Sequence, residues 1–163
     1  MYATGKFFAA LVKVPRYLQI PLYQAAQAVQ RSADGSAYMN YQQQAADMSR
    51  AFTGGQPHAV WCWFPGASSR SPAVGPIRRQ LLRTFGRLQV QLASGKAAAP
   101  ADQAAIYVRH RAAGWTVASW LVTHAMAYGI SNVRYAGYQW SEAAGSRGWT
   151  RDPSAPSGTV ELR

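Results

Sequence analysis

A chain of 163 residues, 48% hydrophobic and 14% charged, is long and apolar enough to bury a core, which excludes intrinsic disorder. Its longest uninterrupted apolar runs, FFAALV and AVWCWF, fall far short of the roughly 20 residues that span a bilayer. The net charge of +11, with 14 arginines among 17 basic residues, favours polyanionic partners: nucleic acid, anionic lipid or phosphate-bearing wall polymer. A GC-rich coding bias toward Arg and Ala explains the same numbers. The single cysteine, Cys62, excludes an internal disulfide and any multi-cysteine zinc site. Between Trp61 and Trp63 it reads as a buried structural thiol, or as one that pairs with a cysteine elsewhere.

In chain order, Phe7, Phe8, Leu11 and Val12 between Lys6 and Lys13 predict a short amphipathic helix over residues 4–14, closed by Pro15. Its six-residue apolar run, with no small-residue cleavage site after it, is not the pattern of a signal peptide. IPLYQAAQAVQRS restarts a helix with Pro21 in its first turn. Asp34-Gly35 makes a turn, and Ser36 is the expected N-cap of a third helix. There Tyr41, Ala45, Met48 and Phe52 form one apolar stripe, stopped by Thr53-Gly54-Gly55. Three short helices in 55 residues predict a thin core. They are unusually rich in amides, with Gln27, Gln30, Asn40, Gln42, Gln43 and Gln44.

Residues 56–75 read as a tryptophan-rich strand or a linker, the second half being GASSRSPAVG. PIRRQLLRTFGRLQVQL opens as a helix with Ile77, Leu81 and Phe85 on one face. Arg79, Arg83 and Arg87 repeat every four residues on another, either as a polyanion-binding row or as a solvated basic face. RLQVQLA alternates as a strand does, and AIYVRH fits a second. GWTVASWLVTHAMAYG predicts a helix carrying Val117, Leu121, His124 and Tyr128 on one stripe, ended by Gly129. SNVRYAGYQWS predicts a hairpin around Ala136-Gly137, and GTVELR a final strand. The class is α+β: a helical unit over 1–55, a linker or strand over 56–75, and an α+β domain over 76–163.

The three histidines, His58, His110 and His124, form no HxH or HxxxH pair, so no metal or other cofactor is expected. His124, on an apolar stripe, reads as a core histidine held by one hydrogen bond. Glycosidase chemistry needs two placed carboxylates, or one with substrate assistance. Neither Asp34, Asp47, Asp102 and Asp152 nor Glu142 and Glu161 offer an evident pair, and no catalytic residue is assigned. No GxSxG elbow or phosphate-cradling GxGxxG occurs.

Phe7-Phe8, Leu11, Val14, Ala25-Ala26-Gln27, Val29-Gln30-Arg31-Ser32 and Ala37-Tyr38 together resemble the distal half of a lysozyme-like domain of secreted, wall-associated actinobacterial proteins. That resemblance covers about 55 residues. It implies that the catalytic glutamate lies upstream of Tyr2, and hence that this chain is a truncated copy, a fragment or the product of a mis-set start. Trp115, Trp120-Leu121-Val122, His124-Ala125, Gly129, Val133, Gly137 and Trp140 resemble a C-terminal domain of such proteins, with a zinc D-alanyl-D-alanine carboxypeptidase-like layout. Zinc-bearing relatives carry a histidine pair on the last strand, where this chain has Thr159 and Glu161, so the resemblance implies a binding or scaffold role without the metal.

Amide side chains donate and accept, which suits the hydroxyl and acetamido groups of a glycan. Gln27, Gln30, Arg31 and Tyr38 are therefore the candidate wall-sugar contacts, the alternative being that they cap helices and face water. The expected function is a peptidoglycan-associated binding or remnant module, extracellular or in the cell wall by resemblance. Its partner is peptidoglycan or an anionic wall polymer. The alternatives are a fragment of a muramidase or lytic transglycosylase, and a basic nucleic-acid-binding protein.

Overall fold

The computed structural model describes residues 2–31, 34, 36–64, 72–86, 91–92 and 103–163. The chain forms two compact units, Met1–Met48 and Ser49–Arg163. The class is α+β, as the sequence predicts, with helices leading and an antiparallel sheet in the C-terminal unit.

The first unit contains α1 (Tyr2–Leu11), α2 (Leu22–Gln30) and the start of α3 (Gln42–Phe52). Pro21 precedes α2 as its cap residue, where a missing N–H costs nothing. Asp34 makes the expected turn: its Oδ1 accepts from the Ser36 N–H at 2.8 Å and from the Ser36 hydroxyl at 2.7 Å. These bonds hold the Asp34 carboxyl below its ordinary pKa. Ser36 is thus committed to that turn and does not cap α3, which instead follows a 3₁₀ turn at Met39–Tyr41. The predicted stripe is also not a buried seam, because Tyr41, Met48 and Phe52 are all exposed. The thin core is real: in this unit Ala25 is the single buried apolar residue among those described, while Phe8 and Leu18 lie open.

The second unit is built on a six-stranded antiparallel sheet in the order β1-β2-β6-β3-β4-β5. Its strands are β1 (Gln91–Leu92), β2 (Ala104–Tyr107), β3 (Asn132–Tyr135), β4 (Tyr138–Ser141), β5 (Trp149–Arg151) and β6 (Thr159–Leu162). Ala136 and Gly137 join β3 to β4 with φ of 50° and 82°, the left-handed pair that a two-residue hairpin turn requires. The closing strand β6 inserts between β2 and β3, pairing Ile106 with Val160 and Val133 with Leu162.

One sheet face is apolar and packs on α5 (Arg111–Thr123). Ile106, Val133, Tyr135, Trp140, Val160 and Leu162 are buried there with Trp115, Leu121 and Val122 of the helix. His110 caps α5, its Nδ1 accepting from the Ala113 N–H at 3.2 Å. The predicted helix breaks at His124 and resumes as α6 (Ala125–Tyr128). His124 is half-buried rather than core; it stacks on Trp120 with ring centres 4.1 Å apart, and its Nδ1 lies 2.8 Å from the Trp120 carbonyl oxygen. Helix α4 (Val74–Phe85) buries Ile77 and Leu81, as its periodicity predicts.

Residues 56–64 form neither a strand nor a spacer. Trp149 donates its indole N–H to the Val60 carbonyl at 2.8 Å, and Trp140 donates to the Cys62 carbonyl at 3.0 Å. Two indoles, Trp140 buried and Trp149 half-buried against the core, thus satisfy their polar ends on this extended segment and fix it. Cys62 is half-buried and packs against the core, and burial pushes its thiol pKa up.

Candidate functional site

Strand alternation decides which side chains line the open sheet face. On β6, Val160 and Leu162 point into the core, so Thr159 and Glu161 point away from it. On β3 the same rule buries Val133 and Tyr135 and turns Asn132 and Arg134 outward. The register then sets Ala105, Glu161, Arg134, Gln139 and Thr150 in one row across β2, β6, β3, β4 and β5. From Glu161 to Thr150 that row spans about 14 Å at the usual strand spacing.

Arg134 is the hub. Its Nε donates to Asp152 Oδ2 at 2.8 Å, Nη1 to Glu161 Oε2 at 2.6 Å, and Nη2 to the Ser154 hydroxyl at 2.7 Å. The Ser154 hydroxyl in turn donates to Asp152 Oδ1 at 2.6 Å, and the Ser154 N–H reaches the same oxygen at 3.1 Å. The Arg134 hydrogen bond, followed by that from Ser154, holds the Asp152 carboxyl at about 2. The pairing raises the Arg134 pKa further. These are charge-assisted bonds, and they lock a planar fork between two carboxylates. Neither carboxylate is placed as a general acid: Asp152 is ionised at every physiological pH, and Glu161 faces a permanent cation.

In the layout that the sequence resembles, Thr159 and Glu161 stand where zinc-bearing relatives carry a histidine pair. A catalytic zinc takes three nitrogen, sulfur or carboxylate ligands and leaves one position open. Thr159 is not such a ligand, and Glu161 is taken by Arg134, whose charge repels a dication at the same oxygens. The residues do not fit zinc. Among the described residues no group of three or more His, Cys, Asp and Glu side chains gathers for a metal elsewhere.

The other sequence-predicted positions fall as follows. Gln27 and Gln30 lie on adjoining turns of α2, and Arg31 caps it in the left-handed region at φ 52°, its N–H on the Gln27 carbonyl at 2.8 Å. Gln30 and Arg31 are exposed, while Gln27 and Tyr38 are half-buried. Arg79 and Arg83 stand exposed one turn apart on α4, with Arg78 beside them, opposite the buried Ile77–Leu81 edge. Arg87 lies outside the described residues. Asp47 accepts from Gln43 Nε2 at 3.2 Å on the exposed side of α3.

The sequence reading did not assign Arg134, Asp152 or Ser154. The available signal was the alternation in NVRY and TVEL, which turns opposite charges outward on two strands that prove to be neighbours. No protein-family model, no curated protein and no solved structure matches this chain.

Proposed function

We propose that this chain is a non-catalytic module that holds peptidoglycan or an associated anionic wall polymer. The observation that carries the reading is the Arg134–Glu161 pair. At the strand position where the resembled hydrolases carry a metal-binding histidine, this sheet presents a carboxylate already neutralised by a guanidinium. The same open face offers Asn132, Gln139, Thr150 and Thr159, amides and hydroxyls suited to hydrogen-bonding a hydroxylated or peptide-bearing polymer. Exposed Arg78, Arg79 and Arg83, within a net charge of +11, supply long-range attraction to a polyanion.

Co-sedimentation with purified peptidoglycan, run beside DNA-cellulose over a salt series, tests the reading. Retention on the wall polymer with no release of dye from labelled wall supports it. Dye release shows that a proton donor or metal operates on this chain, and DNA retention that falls steeply with salt, without wall retention, shows a nucleic-acid-binding protein instead.

A further inference from the structure

In the extended segment Val60–Phe64, side chains alternate. Val60 is buried and Cys62 and Phe64 pack on the core, so Trp61 and Trp63 project to the outside, 44% and 59% exposed. Two steps of extended chain set their attachment points about 6.6 Å apart. The backbone between and beside them is pinned by the Trp149 and Trp140 indole bonds to the Val60 and Cys62 carbonyls. These are large apolar rings carried at the surface on a fixed backbone, an arrangement that lowers the ordering cost of binding.

The rings rest on glycine. Gly148, at φ 65°, lies beneath the pyrrole ring of Trp61, where an added Cβ would come within 3.0 Å of the indole. Gly145, at φ 58°, lies against the Nε1 edge of Trp63, at 3.2 Å by the same measure. Both φ values favour glycine, and an added Cβ would press on the rings. The two glycines belong to the 3₁₀ segment Glu142–Arg147 and its end, held by Ser141 capping the Ala144 N–H and by Arg147 Nε donating to the Ala144 carbonyl.

We propose that Trp61 and Trp63 form a shelf on which the apolar faces of N-acetylated hexosamine rings of a glycan strand stack. This deepens the wall-binding reading and rests on it. One face of a pyranose presents C–H bonds, which meet the negative face of an indole favourably. Exposed Ser146 and Arg147 beside the shelf supply hydrogen-bonding groups for ring hydroxyls and acetamido oxygens. A proline-rich peptide is bound in a groove between aromatic ridges; here Gly148 lies beneath the Trp61 ring and Gly145 against the edge of the Trp63 ring, and the surface is a shelf.

The test is calorimetric titration of the full chain with a soluble, uncharged N-acetylglucosamine oligomer, with indole fluorescence recorded in parallel. Wild type binds with a fluorescence change. Trp61→Ala and Trp63→Ala each weaken binding about tenfold or more. Trp61→Phe and Trp63→Phe retain most of it. Unchanged near-ultraviolet circular dichroism outside the lost indole band verifies folding of the alanine variants. No oligomer binding by wild type, equal binding by both alanine variants, or binding of a proline-rich peptide in its place overturns the shelf. Retention on insoluble peptidoglycan separates the two ideas. Wall retained without oligomer binding removes the shelf and keeps the module, whereas oligomer bound without wall retention keeps the shelf and removes the module.

Discussion

Gly114, in the second turn of α5, lies directly against the phenol ring of Tyr135 on β3, so closely that a methyl group at 114 would overlap the ring. The tyrosine hydroxyl passes the helix and donates to the Arg111 carbonyl at 3.3 Å. A glycine inside a helix costs about 1 kcal/mol relative to alanine, and here the cost is offset by letting helix and sheet meet. Gly114→Ala should therefore destabilise by about 2 kcal/mol net, as overpacking outweighs helix propensity. Denaturant unfolding checks this. Adding Tyr135→Leu to Gly114→Ala should recover part of the loss, giving a coupling energy that two independent sites do not show.

Ala136 occupies the left-handed region at φ 50°, a conformation costly to a residue with a Cβ. It is held there by its N–H bond to the Pro156 carbonyl at 2.7 Å and by the Gly137 N–H on the Ala155 carbonyl at 3.2 Å. Ala136→Asn, the residue such a turn prefers, should stabilise the fold by about 1 kcal/mol. Thermal unfolding of the two proteins side by side is sufficient to check it.

These two sites show how far the sequence could be read. Ala136-Gly137 announces its turn locally, and Ile77 with Leu81 announces a buried helix edge, because both signals lie within one element. The Gly114–Tyr135 contact and the Arg134–Glu161 pair are set by a strand order in which the last strand enters beside β2 and β3, and no local pattern encodes that. Strand β5 is three residues long and carries too short a period to register. Residues 60–64 are apolar at every position, so alternation could not separate the anchored side from the outward tryptophans. The indole bonds that tell them apart come from residues about 80 positions away. Ser36 failed as a cap because Asp34, two residues earlier, competes for the same N–H and hydroxyl.

Asp152 gives the fold a defined acid response. Its folded pKa, about 2, lies below its ordinary 3.8, so folding favours the ionised form. The stabilisation is fully present above the unfolded pKa and is lost as pH falls from about 4 through the folded value. Melting temperature should fall over that window in the wild type. Asp152→Asn should melt lower at neutral pH and show a shallower fall on acidification, since it removes one carboxylate that must be protonated. An Asp152→Asn profile parallel to wild type between pH 4 and 2 would place the acid response elsewhere.

The arginine pair on α4 makes the last prediction, and it separates attraction from recognition. Arg79 and Arg83 are exposed and lie on the helix side away from Ile77 and Leu81, so replacing them leaves the core intact. Arg79→Ala/Arg83→Ala should melt within about 0.5 kcal/mol of wild type, as surface substitutions usually do. Retention on an anionic wall polymer should weaken at low salt and converge with wild type as salt rises, because screening removes what the two charges contribute. Were the pair to grip phosphates as a nucleic-acid contact does, the logarithmic salt slope on DNA would drop by about one for each arginine removed, while wall retention would not change. Measuring both polymers with the same variant decides which polyanion the row serves. A double variant indistinguishable from wild type on either support would reduce Arg79 and Arg83 to a solvated face, leaving the open sheet row around Arg134 and the outward tryptophans to hold whatever this chain binds.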